Sequence, residues 1–378
     1  MIPSQRDLFD LPRDRVYLNA AYMGPMPRAA AGAGAESYAG KTQPWLYDVQ
    51  QDFFDAPEAL RSKAAHLFGA TADDVALVPA ASYGIATAAR NLAPQKRTDI
   101  LVLDAQFPSN IYSWRDLAEA HGARIRTVRR SDNQSWTEAM LGAIGPATSI
   151  VACPQVHWAD GGLLDLAAIS DAARRQGAAL VLDLTQSLGA LPFDMKAIQP
   201  DFAVAAAYKW MLGPYALGFN YVAPHHHAGE PLEQNWIVRD RAEDFARLVD
   251  YADSYAAGAR RFDMGERSAF QQIPAANACL AQILDWGVNE LSETLGALTA
   301  RIAEAVAPLG LHDATPDRAP HYLCLALPSG APSDLVARLA RHKIHVSQRG
   351  DRLRVTPHLY NDETDIAAFV AGLKAELC

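Results

Sequence analysis

The sequence predicts an α/β fold: a large domain with a mostly parallel, doubly wound sheet, followed by a smaller C-terminal α+β domain. Three observations predict it. Short apolar, β-rich runs alternate with alanine-rich helical stretches between residues 75 and 222. That pattern changes after Gly258-Ala-Arg-Arg-Phe-Asp-Met-Gly. The chain, at 378 residues, is also too long for one simple core. Alternation of this kind marks parallel strands joined by crossover helices that cover both faces of a sheet.

In order, strands are expected at 75–78, 100–103, 124–128, 149–152, 179–182, 202–206 and 219–222. Helices are expected between them at 84–92, 109–121, 136–143 and 165–176. Beyond 258, two long helices (269–286 and 290–307) lead into short strands near 321–327, 344–348 and 352–356, with a helix at 332–342. Residues 16–257 therefore read as the large domain and 258–378 as the small one. Residues 1–15 are expected to pack with the small domain.

Composition narrows the function. Half of the residues are hydrophobic and 20% are charged, an ordinary globular mix. A net charge of −9 argues against a nucleic-acid or anionic-membrane partner. No apolar run is long enough to span a bilayer. The start, MIPSQRDLFDLPRDR, lacks an apolar signal core, so a cytoplasmic location is expected. Cys153, Cys279, Cys324 and Cys378 have neither metal-like nor disulfide-like spacing and read as reduced thiols. His225-His-His227 follows Pro224 in a turn with no Cys or carboxylate pattern beside it, so it reads as a solvated loop and no metal is expected. No Gly-x-Gly-x-x-Gly turn follows the first strand, which disfavours a dinucleotide-binding enzyme.

The chemistry concentrates between residues 180 and 218. One apolar strand ends on Asp183, and the next ends on Tyr208-Lys209, one crossover later. Ligands of such sheets lie at the carboxyl ends of strands, where Asp183, Gln155 and Lys209 are expected. Either residue alone reads as a turn-capping Asp or a surface Lys. Together they suit pyridoxal phosphate chemistry. An amine forms a Schiff base with the cofactor aldehyde, and a carboxylate keeps the ring nitrogen protonated.

With these residues in place, the chain resembles the class V aminotransferase family of fold-type-I pyridoxal phosphate enzymes. That family includes cysteine desulfurases, kynureninase and isopenicillin N epimerase. The likeness rests on Tyr17-Leu-Asn-Ala-Ala, Phe107-Pro-Ser-Asn, Asp183-Leu-Thr-Gln-Ser, Tyr208-Lys209-Trp and Leu353-Arg-Val-Thr-Pro-His-Leu-Tyr-Asn, in family order. It implies that Lys209 is the Schiff-base lysine and that Asp183 pairs with the pyridinium. It implies that Gln186 bonds the ring hydroxyl, that Phe107 stacks on the ring, and that Ser82 and Tyr83 lie in the phosphate loop. Tyr208 would lie near the phosphate and Arg354 would take the substrate α-carboxylate. The residues themselves agree in part. Ser82 opens a helix whose N-terminus can seat phosphate, or it is a plain N-cap. Arg354 projects opposite Leu353 and Val355 and offers a fork that matches a carboxylate, or it is a solvated edge residue. His157, Trp158 and Asn235 are expected to face the substrate, with Tyr22, Trp236, Arg349 and His358 as further candidates.

The sequence also departs from the family. Cysteine desulfurases carry a nucleophilic Cys shortly before the carboxylate-binding arginine, and the stretch from Val346 to Arg354 has none. Many members show Gly-Thr where Gly265-Glu266 stands here, and a Glu would repel a neighbouring subunit's phosphate, although Arg267 or Ser268 could substitute. The expected protein is thus a homodimer acting on a small amino acid. Transamination stands first. Kynureninase-like or carbon–sulfur lyase cleavage stands second, and epimerisation third. A non-catalytic pyridoxal phosphate-binding regulatory subunit is the reading of another class.

Overall fold

The computed structural model describes residues 1–377; Cys378 and its reading as a reduced thiol lie outside the described residues. The first part of the chain runs β1 (Val16–Tyr17), α1 (Arg28–Gly40), α2 (Ala56–Phe68), β2 (Val75–Val78), α3 (Ala81–Asn91), β3 (Asp99–Leu103), α4 (Tyr112–His121) and β4 (Arg124–Val128). It continues through α5 (Trp136–Ala143), β5 (Thr148–Pro154), α6 (Leu166–Arg175), β6 (Ala179–Asp183), α7 (Met195–Ile198), β7 (Phe202–Ala206) and β8 (Gly218–Val222). The remainder is α8 (Gln272–Trp286), α9 (Val288–Val306), β9 (His312–Asp313), β10 (Leu323–Ala326), α10 (Leu335–Arg341), β11 (Ile344–His345), β12 (Ser347–Arg349), β13 (Arg352–Val355) and α11 (Glu363–Leu377).

Seven strands form the main sheet in the order β2-β8-β7-β6-β5-β3-β4. Only β8 runs antiparallel to its neighbours. The mostly parallel, doubly wound sheet expected from the alternation is therefore present. Its strands are apolar because both faces are covered: alternate residues feed two different cores. Leu101, Val151 and Leu182 point to one, with residues of α2, α6 and α8. Val102, Ile150 and Val181 point to the other, with α3 and α4. The edge strand β4 is exposed and carries Arg124, which pairs with Asp99 at 2.7 Å. Charge on an edge discourages pairing with another chain.

The C-terminal sheet is antiparallel, in the order β12-β13-β10-β9. The single strand expected at 344–348 is two: β11 pairs in parallel with β1, and β12 pairs with β13. A third core, with Leu298, Ile302, Leu323, Leu353, Val355 and Phe369, fills the space beneath and includes Val16 and Leu18. Helix α8, by contrast, buries Ile273, Cys279 and Ile283 in the core of the main sheet. Gly287, at φ +73°, ends α8 and lets α9 leave at a new angle. Helix α9 begins against the main core at Leu291 and Leu295 and ends in the third core at Ile302 and Val306. Residues before β1 reach the C-terminal part: buried Arg6 pairs with Asp365 at 2.9 Å, and Gln5 N–H donates to Leu359 O.

Candidate active site

A cavity of about 260 Å³ opens at the carboxyl ends of the main-sheet strands. Strand β6 delivers Asp183, and the turn after it delivers Thr185 and Gln186. Strand β7 delivers Ala206 and then Tyr208 and Lys209. The segment after β3 contributes Gln106 and Phe107, the one after β5 contributes Val156 and Trp158, and the start of α3 contributes Ala81 and Ser82. Parallel register sets the two key residues: Asp183 lies beside Val204, so the chain leaving β7 carries Lys209 past the acid.

Asp183 and Lys209 are both buried. No ion pair within 4 Å joins them; both line the cavity. Thr185 N–H donates to Asp183 Oδ1 at 3.0 Å, while among the described residues Oδ2 has no hydrogen-bond partner. Lys209 Nζ stands 5.6 Å from the ring centres of Phe107 and Tyr208, also with no hydrogen-bond partner among the described residues. Burial pulls the Lys209 amine down to about 8; Asp183 opposes that shift, and the Arg354 and Arg349 guanidinium groups reinforce it.

Other walls match a flat, phosphorylated group. Helix α3 starts at Ala81 rather than at 84, so Ser82 sits in its first turn and lines the cavity. Its N-cap is Ala80, which supplies no side-chain cap, so the N–H groups of Ala81 and Ser82 have no intrahelical acceptor. Gln186 donates to Ala21 O (3.1 Å) and accepts from Trp210 Nε1 (3.0 Å), leaving one amide N–H uncommitted. Trp158 stands edge-on to Phe107 at 5.4 Å, with its indole N–H fixed on Ala105 O. Free acid, free amine, aromatic wall and uncapped helix form a donor set that fits pyridoxal phosphate.

Arg354 lies just behind Trp158 in β13. It is 1% exposed. Its Nε donates to Ser347 Oγ, and its Nη1 to Trp158 O and Tyr322 OH, at 2.8 to 3.1 Å. Among the described residues no carboxylate lies within salt-bridge distance. Arg349 stands 5.1 Å over the Trp158 ring, equally without a carboxylate.

Five expected site residues do not line the cavity: Arg354, sealed behind Trp158, and four others. Gln155 points away; its neighbours Pro154 and Val156 line the wall instead, as strand alternation requires. His157 is buried with both ring nitrogens used, on Asp160 Oδ1 (3.0 Å) and Asp104 O (3.1 Å). Tyr83 packs its ring against the core beneath α3, and burial pushes its phenol up. Asn235 lines a separate surface depression with Trp236 and donates to Asp263 O. Nor do Arg267 and Ser268 stand free for a phosphate: the first pairs with Glu58 and Asp263, the second donates to Phe53 O. His358, a further candidate, is fully buried. Sequence reasoning missed Thr185, Gln106 and Tyr215 as cavity residues. Thr185 sits inside a quoted motif and could have been found; Tyr215 lies in an irregular loop where periodicity is silent.

A family model described as aminotransferase class-V matches residues 24–366. The chain belongs to the class-V aminotransferase family. The cofactor is pyridoxal 5′-phosphate. Among similar family proteins is the uncharacterized aminotransferase YcbU of Bacillus subtilis, 27% identical over 86% of this chain and 85% of that protein. A kynureninase of Deinococcus radiodurans is 29% identical over 81% of this chain and 74% of its own length. The cysteine desulfurase structure from Thermococcus onnurineus superposes with a TM-score of 0.83 at 19% identity, covering 100% of this chain and 99% of that one, a likeness of fold. Among the described residues, no helix is long and apolar enough to cross a membrane.

Proposed function

We propose that this family member is an aminotransferase acting on a small amino acid, with Lys209 as Schiff-base lysine and general base. The observation that carries the reading is the buried, uncommitted acid and amine that share one cavity wall to wall. When bound, the cofactor supplies an electron sink for the bond broken at the substrate Cα. Asp183, through its free oxygen, favours a protonated ring nitrogen. Lys209, held near pKa 8, can take and return the Cα proton close to neutrality. Phe107 offers the flat wall, Ser82 with the α3 N–H groups the phosphate seat, and Gln186 the remaining N–H for the ring hydroxyl. Tyr208 closes the side near the phosphate. Arg354 takes the substrate α-carboxylate beside Trp158, which supplies an apolar side.

Transamination is favoured because Lys209 is the only lysine or histidine lining the cavity among the described residues, and a proton shift from Cα across the cofactor needs one such base. No cysteine lines the cavity among the described residues, which disfavours persulfide chemistry. A second reading, cleavage beyond Cα, is favoured by Tyr208. Burial pushes this phenol up to about 12, so it stays protonated and can donate to a leaving group. A non-catalytic binding role leaves the unpaired Arg354 without a purpose.

The protein is proposed to be a homodimer, supported by exposed Tyr38, Trp45 and Leu46. Three buried free thiols, Cys153, Cys279 and Cys324, support a cytoplasmic setting. The division between a larger and a smaller domain is proposed to fall within α9 rather than at 258, with residues 1–15 docked on the smaller one.

The test is to supply single amino acids together with a 2-oxo acid and identify products by mass. Paired formation of the donor's 2-oxo acid and a new amino acid supports transfer. Acceptor-independent release of a side-chain fragment, or inversion at Cα alone, replaces that reading.

A further inference from the structure

The histidine run that the sequence analysis set aside meets a carboxylate from another element. Asp201 immediately precedes β7, and Pro224 opens a single 3-10 turn, just after β8, that carries His225 and His226. Because β7 and β8 are antiparallel, with Phe202 beside Val222, the two segments lie side by side. His225 Nε2 and His226 Nε2 both point at one oxygen, Asp201 Oδ1, at 2.9 and 3.0 Å. Their three ligand atoms lie within 4.8 Å of one another.

We propose that Asp201, His225 and His226 form a site for a divalent transition ion of the Zn²⁺ class, a clamp across the β7–β8 pair. Two imidazoles and a carboxylate are the borderline donor set that such ions take, with a water completing a tetrahedron. Tetrahedral bonds of about 2.0–2.1 Å put neighbouring ligand atoms roughly 3.3 Å apart. The two nitrogen-to-oxygen distances therefore need to open by only a few tenths of an ångström, and the two nitrogens already lie within 4.8 Å of each other.

The surroundings hold the donors in place. Asp201 Oδ2 is pinned by Leu180 N–H at 2.8 Å, which leaves Oδ1 aimed outward. The His226 ring packs on Phe202 at 4.8 Å. His227 is turned aside to Asp74 and Val222 O. Arg174 lines the same depression but is directed to Asp171, Ser170 Oγ and Ile198 O. His226 is 19% exposed and His225 66%, so an ion can enter without unfolding. The spacing hid the site: the carboxylate is distant in sequence and joined to the imidazoles only by strand pairing.

The site stands at the opposite end of β7 from Lys209, on the order of 16 Å away along five residues of strand. It is thus a stability device separate from the chemistry.

Calorimetric titration of the cofactor-loaded protein with zinc chloride tests this, with Co²⁺ absorption as a second probe of geometry. One equivalent of Zn²⁺ should bind per chain, raise the melting temperature, and show tetrahedral Co²⁺ bands. The His225→Gln/His226→Gln double variant should lose that equivalent, weakening uptake at least tenfold, with amino-acid turnover unchanged. The single His225→Gln variant, at an exposed position, keeps the test valid if the double variant folds poorly. Equal uptake by wild type and both variants, or unsaturable binding without a melting shift, overturns the proposal and leaves adventitious histidine binding only.

Discussion

Arg61 and Arg354 are both sealed from solvent, at 0% and 1% exposure, yet their surroundings are opposite. Arg61 meets Asp263 through two bonds of 2.9 and 2.6 Å, and Asp263 also accepts Leu77 N–H at 2.7 Å. Glu58 closes the network. Burial would raise its carboxyl, but Arg61 and Arg260 outweigh that and hold it down at about 2. Every charge there is met inside the chain. Arg354 has hydroxyls and a carbonyl but no acid, and Lys209 nearby has no hydrogen-bond partner among the described residues. A buried cation without a counter-charge is costly, so the fold keeps it where a ligand completes the set. The contrast separates a charge that holds the structure from a charge that waits for chemistry.

The largest effect is expected at Lys209. Lys209→Ala should lower turnover by at least about 10²–10⁴-fold and abolish borohydride-fixed cofactor on its peptide, read by mass. A variant that still retains the fixed cofactor would end the assignment. Next in size, Asp263→Ala leaves buried Arg61 with only the half-buried Glu58 as counter-charge and should destabilise by roughly 3–5 kcal/mol in urea unfolding. Arg354→Met should do the reverse. Stability should stay level or rise, while amino-acid affinity falls roughly 10–100-fold through lost charged hydrogen bonds. Equal destabilisation by the two variants would show that the two arginines play the same structural part.

The smallest effect is on pH. Covalent capture of the cofactor needs the neutral amine, so its rate should climb through about pH 8 and level off above. Arg349 and Arg354 repel the ammonium form, so Arg349→Gln should move that midpoint upward. Asp183 attracts it, so Asp183→Asn should move the midpoint down. Stopped-flow absorbance checks both signs.

The main sheet was legible because its strands are buried on both faces and separated by helical stretches of contrasting composition. Asp183 and Lys209 were legible as polar residues that end apolar runs. Strand 344–348 was misread as one element because a change of sheet at Val346 leaves no mark on the apolar pattern. His157 looked like a substrate residue because sequence shows a histidine at a strand end. It does not show Asp160, three residues on, folding back to bond it. Arg354 was legible as a type and a direction; its lack of an acid partner was not. That lack depends on which residues of distant elements fail to arrive.

Strand β6 lies against β7 in fixed parallel register. Asp183 is therefore held by the interstrand pitch, roughly 4.8 Å, while Lys209 sits in the turn three residues past the end of β7. The proposed carboxylate ligand, Arg354, belongs to another sheet, in β13. The two can diversify independently: descendants of such a scaffold can exchange one amino acid for another by redrawing the C-terminal sheet while the electronic machinery stays locked to backbone geometry.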